Sequence, residues 1–533
     1  MTKRVIGDLL RERHRERGDH LFWRCGDDTA TYAQADDRSD RVAAGIASLG
    51  VGKGDRVAIL APNRPEVLEL YFVCAKLGAV QVPLNAFLKG EFLRYQLADC
   101  GASVLVTDEP GYEAAAPLLS ELPALKHVVA LDGRPQTPTL VHVLAYADLA
   151  TSGATSGGPP HTDVGEADLM SIVYTSGTTG LPKGCMLRHA YYCSVARLMC
   201  EAWGVREGDV LMTALPLFHG AARMMMVGAA LWSGQTVVVE REFRPASFLE
   251  RVTEVGATIV GGVGAMGVAL LSLPPSPYDR SHRLRLAVWI PFTAEQQLAF
   301  EQRFAVNVTA ELYGQTECVP VTFSAPGGDR NRASAGRPAP DLEVLLVDDE
   351  DRAVRTGEVG EIVVRPREPY ALFSGYWQKP EETLRAYRNL WYHTGDYGRA
   401  DERGFMSFVD RKKDALRRRG ENVSSVELEL AIARHPKIAE AAVHAVPSQL
   451  TEDDIKACLV LKPEESISPD ELFAFFRKHV PYYAIPRYVE ILPQLPKNAV
   501  GRVMKHVLRE RGVTPSTWDL EAMGFRIPRS QRR

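Results

Sequence analysis

The chain has 533 residues, too many for one simple core, so several subdomains are expected. Its 45% hydrophobic and 24% charged residues are ordinary for a globular protein, and a net charge of −4 gives no overall basic field for a nucleic-acid partner. The eight cysteines are scattered with no Cys-x-x-Cys pair, which favours neither a zinc site nor a disulfide framework. Met1-Thr2-Lys3-Arg4 opens no apolar signal segment, and no run is long enough to span a bilayer. A reducing cytoplasm without an integral membrane segment is the expectation.

Residues from about 5 to 50 read as amphipathic helices around a short strand at 29–32. Strands are predicted at 55–60, 79–84 and 103–107, and helices at 65–78 and 92–100. Strands and helices alternating at this length predict an α/β layered domain with parallel strands. Residues 151–165, rich in Ser, Gly, Thr and Pro, predict a loop. The apolar run from Leu169 to Tyr174 then predicts a buried strand.

That strand empties into Thr175-Ser176-Gly177-Thr178-Thr179-Gly180-Leu181-Pro182-Lys183-Gly184. Glycines let backbone N–H groups approach phosphate oxygens, hydroxyls donate further hydrogen bonds, and Lys183 adds a point charge. The stretch therefore suits an anion cradle. It is not a Walker loop, because the Gly-four-Gly-Lys-Ser/Thr spacing is absent. At these residues the chain resembles the adenylate-forming superfamily of acyl-CoA synthetases, luciferases and adenylation domains. The segment from Gly50 to Ile59 strengthens the resemblance. It implies a large multi-subdomain N-terminal α/β domain, here 1–410, and a small mobile α+β C-terminal domain, here 411–533. It also implies that the loop holds the β- and γ-phosphates of ATP.

Strands at 210–214 and 236–240 and a helix at 243–255 continue the α/β pattern, and a β-rich section follows Gly336. His219 follows a strand in Leu215-Pro216-Leu217-Phe218-His219-Gly220, and the resemblance assigns it to the acyl pocket. In Tyr313-Gly314-Gln315-Thr316-Glu317, Tyr313 offers a face for adenine and Gly314 permits close backbone approach. Thr316 can bond the α-phosphate, and Glu317 supplies a hard oxygen for Mg²⁺. Asp396, in Trp391-Tyr392-His393-Thr394-Gly395-Asp396, is assigned to the ribose hydroxyls, as is Arg411 to ribose and phosphate. The resemblance places a hinge at Lys413 and a pantetheine-lining glycine at Gly420. Arg417, Arg418 and Arg419 read either as a solvated face or as contacts for coenzyme A phosphates. Residues 419–424 are most similar to the crotonobetaine/carnitine–CoA ligase branch.

Two departures stand out. The superfamily's adenylation lysine, within Pro-Lys-x-x-x-Gly-Lys, corresponds to Arg502 here. Arginine keeps the charge but presents a wide planar fork. Arg502 acting in its place, Lys505 reaching in, and drifted chemistry all remain open. Trp289-Ile290-Pro291-Phe292 stands where many relatives have small residues, which predicts a narrowed pocket floor. The small residues from Val260 to Gly267 oppose that reading.

The resemblance thus implies an ATP- and Mg²⁺-dependent carboxylic acid–CoA ligase acting through an acyl-adenylate. Arg502, Lys183, Glu317 and Thr316 are its expected catalytic groups, and a homodimer is common among such proteins. The alternative keeps adenylation but delivers the activated group to an amine, as an amine ligase or a nitrite-activating diazotase does. A catalytically silent nucleotide-binding protein is the reading from another class.

Overall fold

The structure is a computed structural model. It describes residues 4–133, 141–155, 161–175, 181–411, 416–418, 421–423, 425–448, 453–496, 503 and 505–528. Two seven-stranded sheets organise the larger part of the molecule. One places Val80–Leu84 between Arg56–Leu60 and Leu169–Thr175, all running parallel. These strands are nearly continuous apolar runs because both faces are covered; Val80–Leu84 is buried at every position. The helix Pro65–Leu77 buries residues all round, including Leu70 and Phe72. Each such side chain contributes about 1.5–3 kcal/mol of burial. Pro65 opens this helix, and Gly78, at φ 65°, closes it in the left-handed region that glycine tolerates best.

The same sheet reverses direction at its functional edge. Leu169–Thr175 pairs antiparallel with Lys183–Arg188, and Thr175 opposite Lys183 closes the hairpin. The predicted phosphate loop is the connection of that hairpin. The second large sheet holds Val210–Thr213, Thr236–Val239, Ile259–Val263 and Leu286–Ile290 as parallel strands. Leu21–Cys25 joins it at one side, a strand that helical periodicity across residues 5–50 had concealed.

A hairpin of Leu312–Gln315 and Cys318–Phe323 carries Thr316 and Glu317 at its turn. An antiparallel sheet follows, in which Trp391–Ala400 lies between Val359–Pro366 and Met406–Arg411. Later in the chain, Ile438–Pro447, Asp453–Leu461, Tyr488–Ile491 and Trp518–Asp519 form a four-stranded sheet. The helix Pro469–His479 packs Leu472 and Phe476 into the same apolar cluster as Leu88, Phe92 and Leu93.

Two expectations are corrected. Residues 151–155 continue the helix Tyr146–Thr155, whose partner is the helix Tyr32–Ser48. Gly45 there lets the Leu149 backbone approach, since a Cβ would stand 2.5 Å from the Leu149 carbonyl oxygen. The bulky Trp289 and Phe292 do not narrow a pocket floor. Both are buried in an apolar cluster with Phe248, Phe300 and Phe304. The small residues opposite them make the room: a Cβ on Gly262 would meet the Trp289 ring at 2.6 Å, and one on Gly267 would meet Phe292 at 3.0 Å. The two opposing sequence signals are halves of one packing solution.

Candidate active site

Lys183 stands at the first residue of its strand, with Nζ 2.7 Å from Glu382 Oε2 and 4.8 Å from the centroid of the Tyr376 ring. The Tyr376 hydroxyl donates to Glu317 Oε1 at 3.0 Å. One tyrosine therefore links the loop's lysine to the carboxylate of the second motif. Tyr376 is held beside Lys183–Arg188 by an isolated bridge to Cys185. The Phe373 N–H donates to the Glu317 carbonyl at 2.9 Å, which seats the hairpin turn on the same segment.

Glu317 is 8% exposed. Burial pushes its carboxyl above the usual range, and Tyr376, Cys185 and Lys183 only partly offset this. A carboxylate whose charge is disfavoured by burial suits a divalent cation, which restores the ionised form. Mg²⁺ in particular takes one or two carboxylates and completes its shell with phosphates and water. Among the described residues no cluster of three or more His, Cys, Asp or Glu could hold a metal. Glu317 with nucleotide phosphates is the set that fits.

The second and third motifs meet on Asp396. The Tyr313 hydroxyl and Gln315 Nε2 each donate to Asp396 Oδ2 at 2.7 Å. Gln315 also donates to the Thr394 carbonyl at 2.9 Å and accepts from the Tyr392 hydroxyl at 3.0 Å. Gly314 is required by close approach: a Cβ there would lie 2.8 Å from Val319. The Thr316 carbonyl accepts from the Tyr191 hydroxyl at 3.1 Å, and that hydroxyl accepts from the Val319 N–H at 2.8 Å. Tyr191 thus pins both ends of the turn that presents Thr316 and Glu317. The backbone of Arg411 lies opposite Asp396 in the ladder.

His219 has its own support. Asn63 donates to the carbonyls of Leu215 and Glu240 at 2.9 and 2.8 Å and accepts from the Leu217 N–H at 2.6 Å. This fixes the loop between Val210–Thr213 and the helical segment Ala221–Val227. Phe218 lies 6.4 Å from Phe87 between ring centroids, and Phe87 lies 4.8 Å from Tyr482.

The calls at Ser176, Gly177, Thr178, Thr179, Gly180, Lys413, Gly420 and Arg502, and the side chain of Arg411, lie outside the described residues. Arg418 is neither a solvated face nor a phosphate contact. It is 4% exposed and donates to the Ile485 carbonyl and to Glu521 at 2.9 Å. Lys505 bonds Ser425 Oγ and Glu429 Oε1, each at 2.7 Å, so here it is engaged within its own module. Tyr376, Glu382, Tyr191 and Asn63 were missed by sequence reasoning. Their contacts span 59, 199, 125 and 152 residues, and nothing in local spacing signals them. Gln315 could have been found, because it lies inside a motif already singled out.

Fold and site define an adenylate-forming enzyme. The AMP-binding enzyme family matches residues 10–377, and the AMP-binding enzyme C-terminal domain matches residues 427–502. The chain belongs to the AMP-binding enzyme family. It is 34% identical over 490 residues to the crotonobetaine/carnitine–CoA ligase of Salmonella paratyphi A, covering 90% of this chain and 93% of that one. Among solved structures it is similar to a double mutant of o-succinylbenzoate CoA synthetase from Bacillus subtilis bound with its product analogue. That match has 25% identity and a TM-score of 0.80, and covers 95% of this chain and 98% of that one. It is also similar to ATP-bound MatB from Rhodopseudomonas palustris, with 27% identity and a TM-score of 0.68, covering 95% and 98%.

Proposed function

We propose that the chain activates a carboxylic acid as its acyl-adenylate and then transfers the acyl group to coenzyme A. It is an AMP-forming acid–thiol ligase that uses ATP, Mg²⁺ and coenzyme A. The single observation carrying the division of labour is Tyr376, whose ring lies under Lys183 and whose hydroxyl bonds Glu317. Lys183, with Thr175 to Gly180, holds the β- and γ-phosphates. Bound at Glu317, Mg²⁺ supplies charge compensation for the departing pyrophosphate. Tyr313 and Gly314 bound the adenine, Thr316 bonds the α-phosphate, and Asp396 with Arg411 holds the ribose. His219 lines the acyl pocket. The substrate carboxylate attacks the α-phosphorus in line, and Arg502 steadies the charge that develops there. Catalysis of this kind is chiefly positioning and electrostatic stabilisation.

The domain boundary falls near 410. Support comes from the strand Met406–Arg411, which closes one sheet, and from the four-stranded sheet built wholly of later strands. Rotation about Lys413 then exchanges the Arg502 region for Gly420 between the two half-reactions. A cytoplasmic setting is supported by eight free cysteines. No helix among the described residues is long and apolar enough to cross a membrane. A homodimer rests on the family alone.

The test is AMP release from ATP and Mg²⁺ with pooled short, aromatic and long carboxylic acids, with and without coenzyme A. Strong release only with coenzyme A, together with a thioester seen by mass spectrometry, is expected. A flat response to every acid, and turnover only with nitrite and an aryl amine, would sink the reading in favour of the diazotase alternative.

A further inference from the structure

Beside the His219 loop lies a polar cluster that the ligase reading does not use. Arg223, on the segment Ala221–Val227, is 2% exposed. That segment is a π-helix, a wide-turned form found disproportionately at functional sites. Arg223 Nη1 donates to Gln81 Oε1 at 2.7 Å. Among the described residues its Nε and Nη2 have no hydrogen-bond partner, nor do Gln81 Nε2 and the Tyr71 hydroxyl. Gln81 and Tyr71 are each 1% exposed. The guanidinium charge acts on Tyr71 and on Cys74, one turn further along the helix Pro65–Leu77. Among the described residues no carboxylate pairs with Arg223.

A buried cation is costly unless an opposite charge compensates it. All the unpartnered groups here are N–H or O–H donors. A guanidinium fork with further donors beside it is the arrangement that recognises a compact anion. We propose that Arg223, Gln81 and Tyr71 form a buried binding site for such an anionic group. Two sources share this chemistry: a free inorganic anion, and a second carboxylate at the far end of the acid substrate. The Arg223 backbone N–H points to the His219 carbonyl at 3.5 Å, and the helical segment that carries Arg223 starts two residues after His219. An acid passing His219 reaches Arg223 with its distal end. This second arm rests on the acyl-pocket role of His219. The same charge disfavours the trimethylammonium group of carnitine-like acids.

The experiment uses the full chain and sodium bromide at constant ionic strength, with gluconate as the balancing anion. Bromide is expected to raise the unfolding midpoint saturably and to give an anomalous-scattering peak beside the guanidinium in crystals. Arg223→Met is expected to abolish both. In the second arm, malonate to adipate are offered with ATP. If the substrate is the source, one of them displaces bromide. Arg223→Met and Arg223→Lys then raise its KM by between about tenfold and about 100-fold, the range of one lost charge-assisted hydrogen bond, and leave matched monocarboxylates unchanged. No saturable response of the wild-type protein to bromide or to any dicarboxylate, with only water beside Arg223, overturns the proposal. If Arg223→Met does not fold, the wild-type titration and map decide. A protein that binds bromide but adenylates no acid would refute the ligase reading and leave the anion site standing.

Discussion

Glu317 carries two demands that pull against each other. The proposed Mg²⁺ site asks for an ionised carboxylate, and burial disfavours that charge. Its folded-state pKa lies above 4.5, so its favourable contribution to stability is complete below about 4.5 and is lost as pH rises through the folded value. Glu317→Gln keeps an acceptor for Tyr376 and removes the ionisation. The variant is expected to gain about 1–3 kcal/mol of stability at pH 8, with the gain shrinking toward pH 4.5, as read by urea unfolding across that range. Pyrophosphate release by the same variant is expected to fall about 100-fold. Lys183 faces a simpler competition. Its partner Glu382 is partly exposed and is shared with Arg385. Glu382→Gln frees Lys183 for phosphate and is expected to lower the KM for ATP by up to about fivefold, the limit set by about 1 kcal/mol for an exposed pair. Initial rates across an ATP series check it.

At the scale of elements, the hairpin of Leu169–Thr175 and Lys183–Arg188 is proposed to do by another route what a strand–loop–helix unit does in Walker-type proteins. The antiparallel return places Lys183 directly across from Thr175, so the lysine is fixed by the ladder against the strand that precedes it. Trp289 and Phe292 act through packing in their apolar cluster. Trp289→Ala is expected to cost about 3–5 kcal/mol in chemical denaturation and to leave the preference for acid chain length unchanged. A changed chain-length profile in a folded variant would restore the pocket-floor role that the sequence suggested.

At the scale of the molecule, the late sheet and helix are joined to the large domain by specific contacts. Arg434 pairs with Glu91 at 2.6 Å, Lys89 bonds the Arg477 carbonyl, and Tyr482 meets Phe87. Phe87 in turn meets Phe218 next to His219, so these contacts reach the loop proposed to line the acyl pocket. The proposed rotation about Lys413 requires these contacts to break and re-form. Lys413→Pro fixes φ at the proposed pivot. It is expected to preserve acid-dependent pyrophosphate release in single turnover while slowing thioester formation at least about tenfold. Equal loss in both steps would remove Lys413 from its hinge role.

The parallel strands, the helix Pro65–Leu77 with its proline and glycine ends, and the Lys183, Tyr313–Glu317 and Asp396 motifs were all legible in the amino-acid order. Each rests on local periodicity or on a short run of fixed chemistry. The strand Leu21–Cys25 was not: it pairs with the nearby Asp28–Thr31, but its place in the large sheet comes from Thr236–Val239, more than 200 residues away. Arg418 also looked exposed in its run of three arginines, and only the fold turned it inward onto Ile485, Glu521 and Asp454. The sequence by itself determined the class of chemistry, since phosphate, ribose and metal recognition need particular side chains at close spacing. Tertiary structure alone decided which of them share a contact. Tyr376 joins Lys183 to Glu317, Asp396 ties two motifs together, and Arg223 is left buried without a counter-charge among the described residues. Those facts depend on which distant segments pack together, and no local pattern records that.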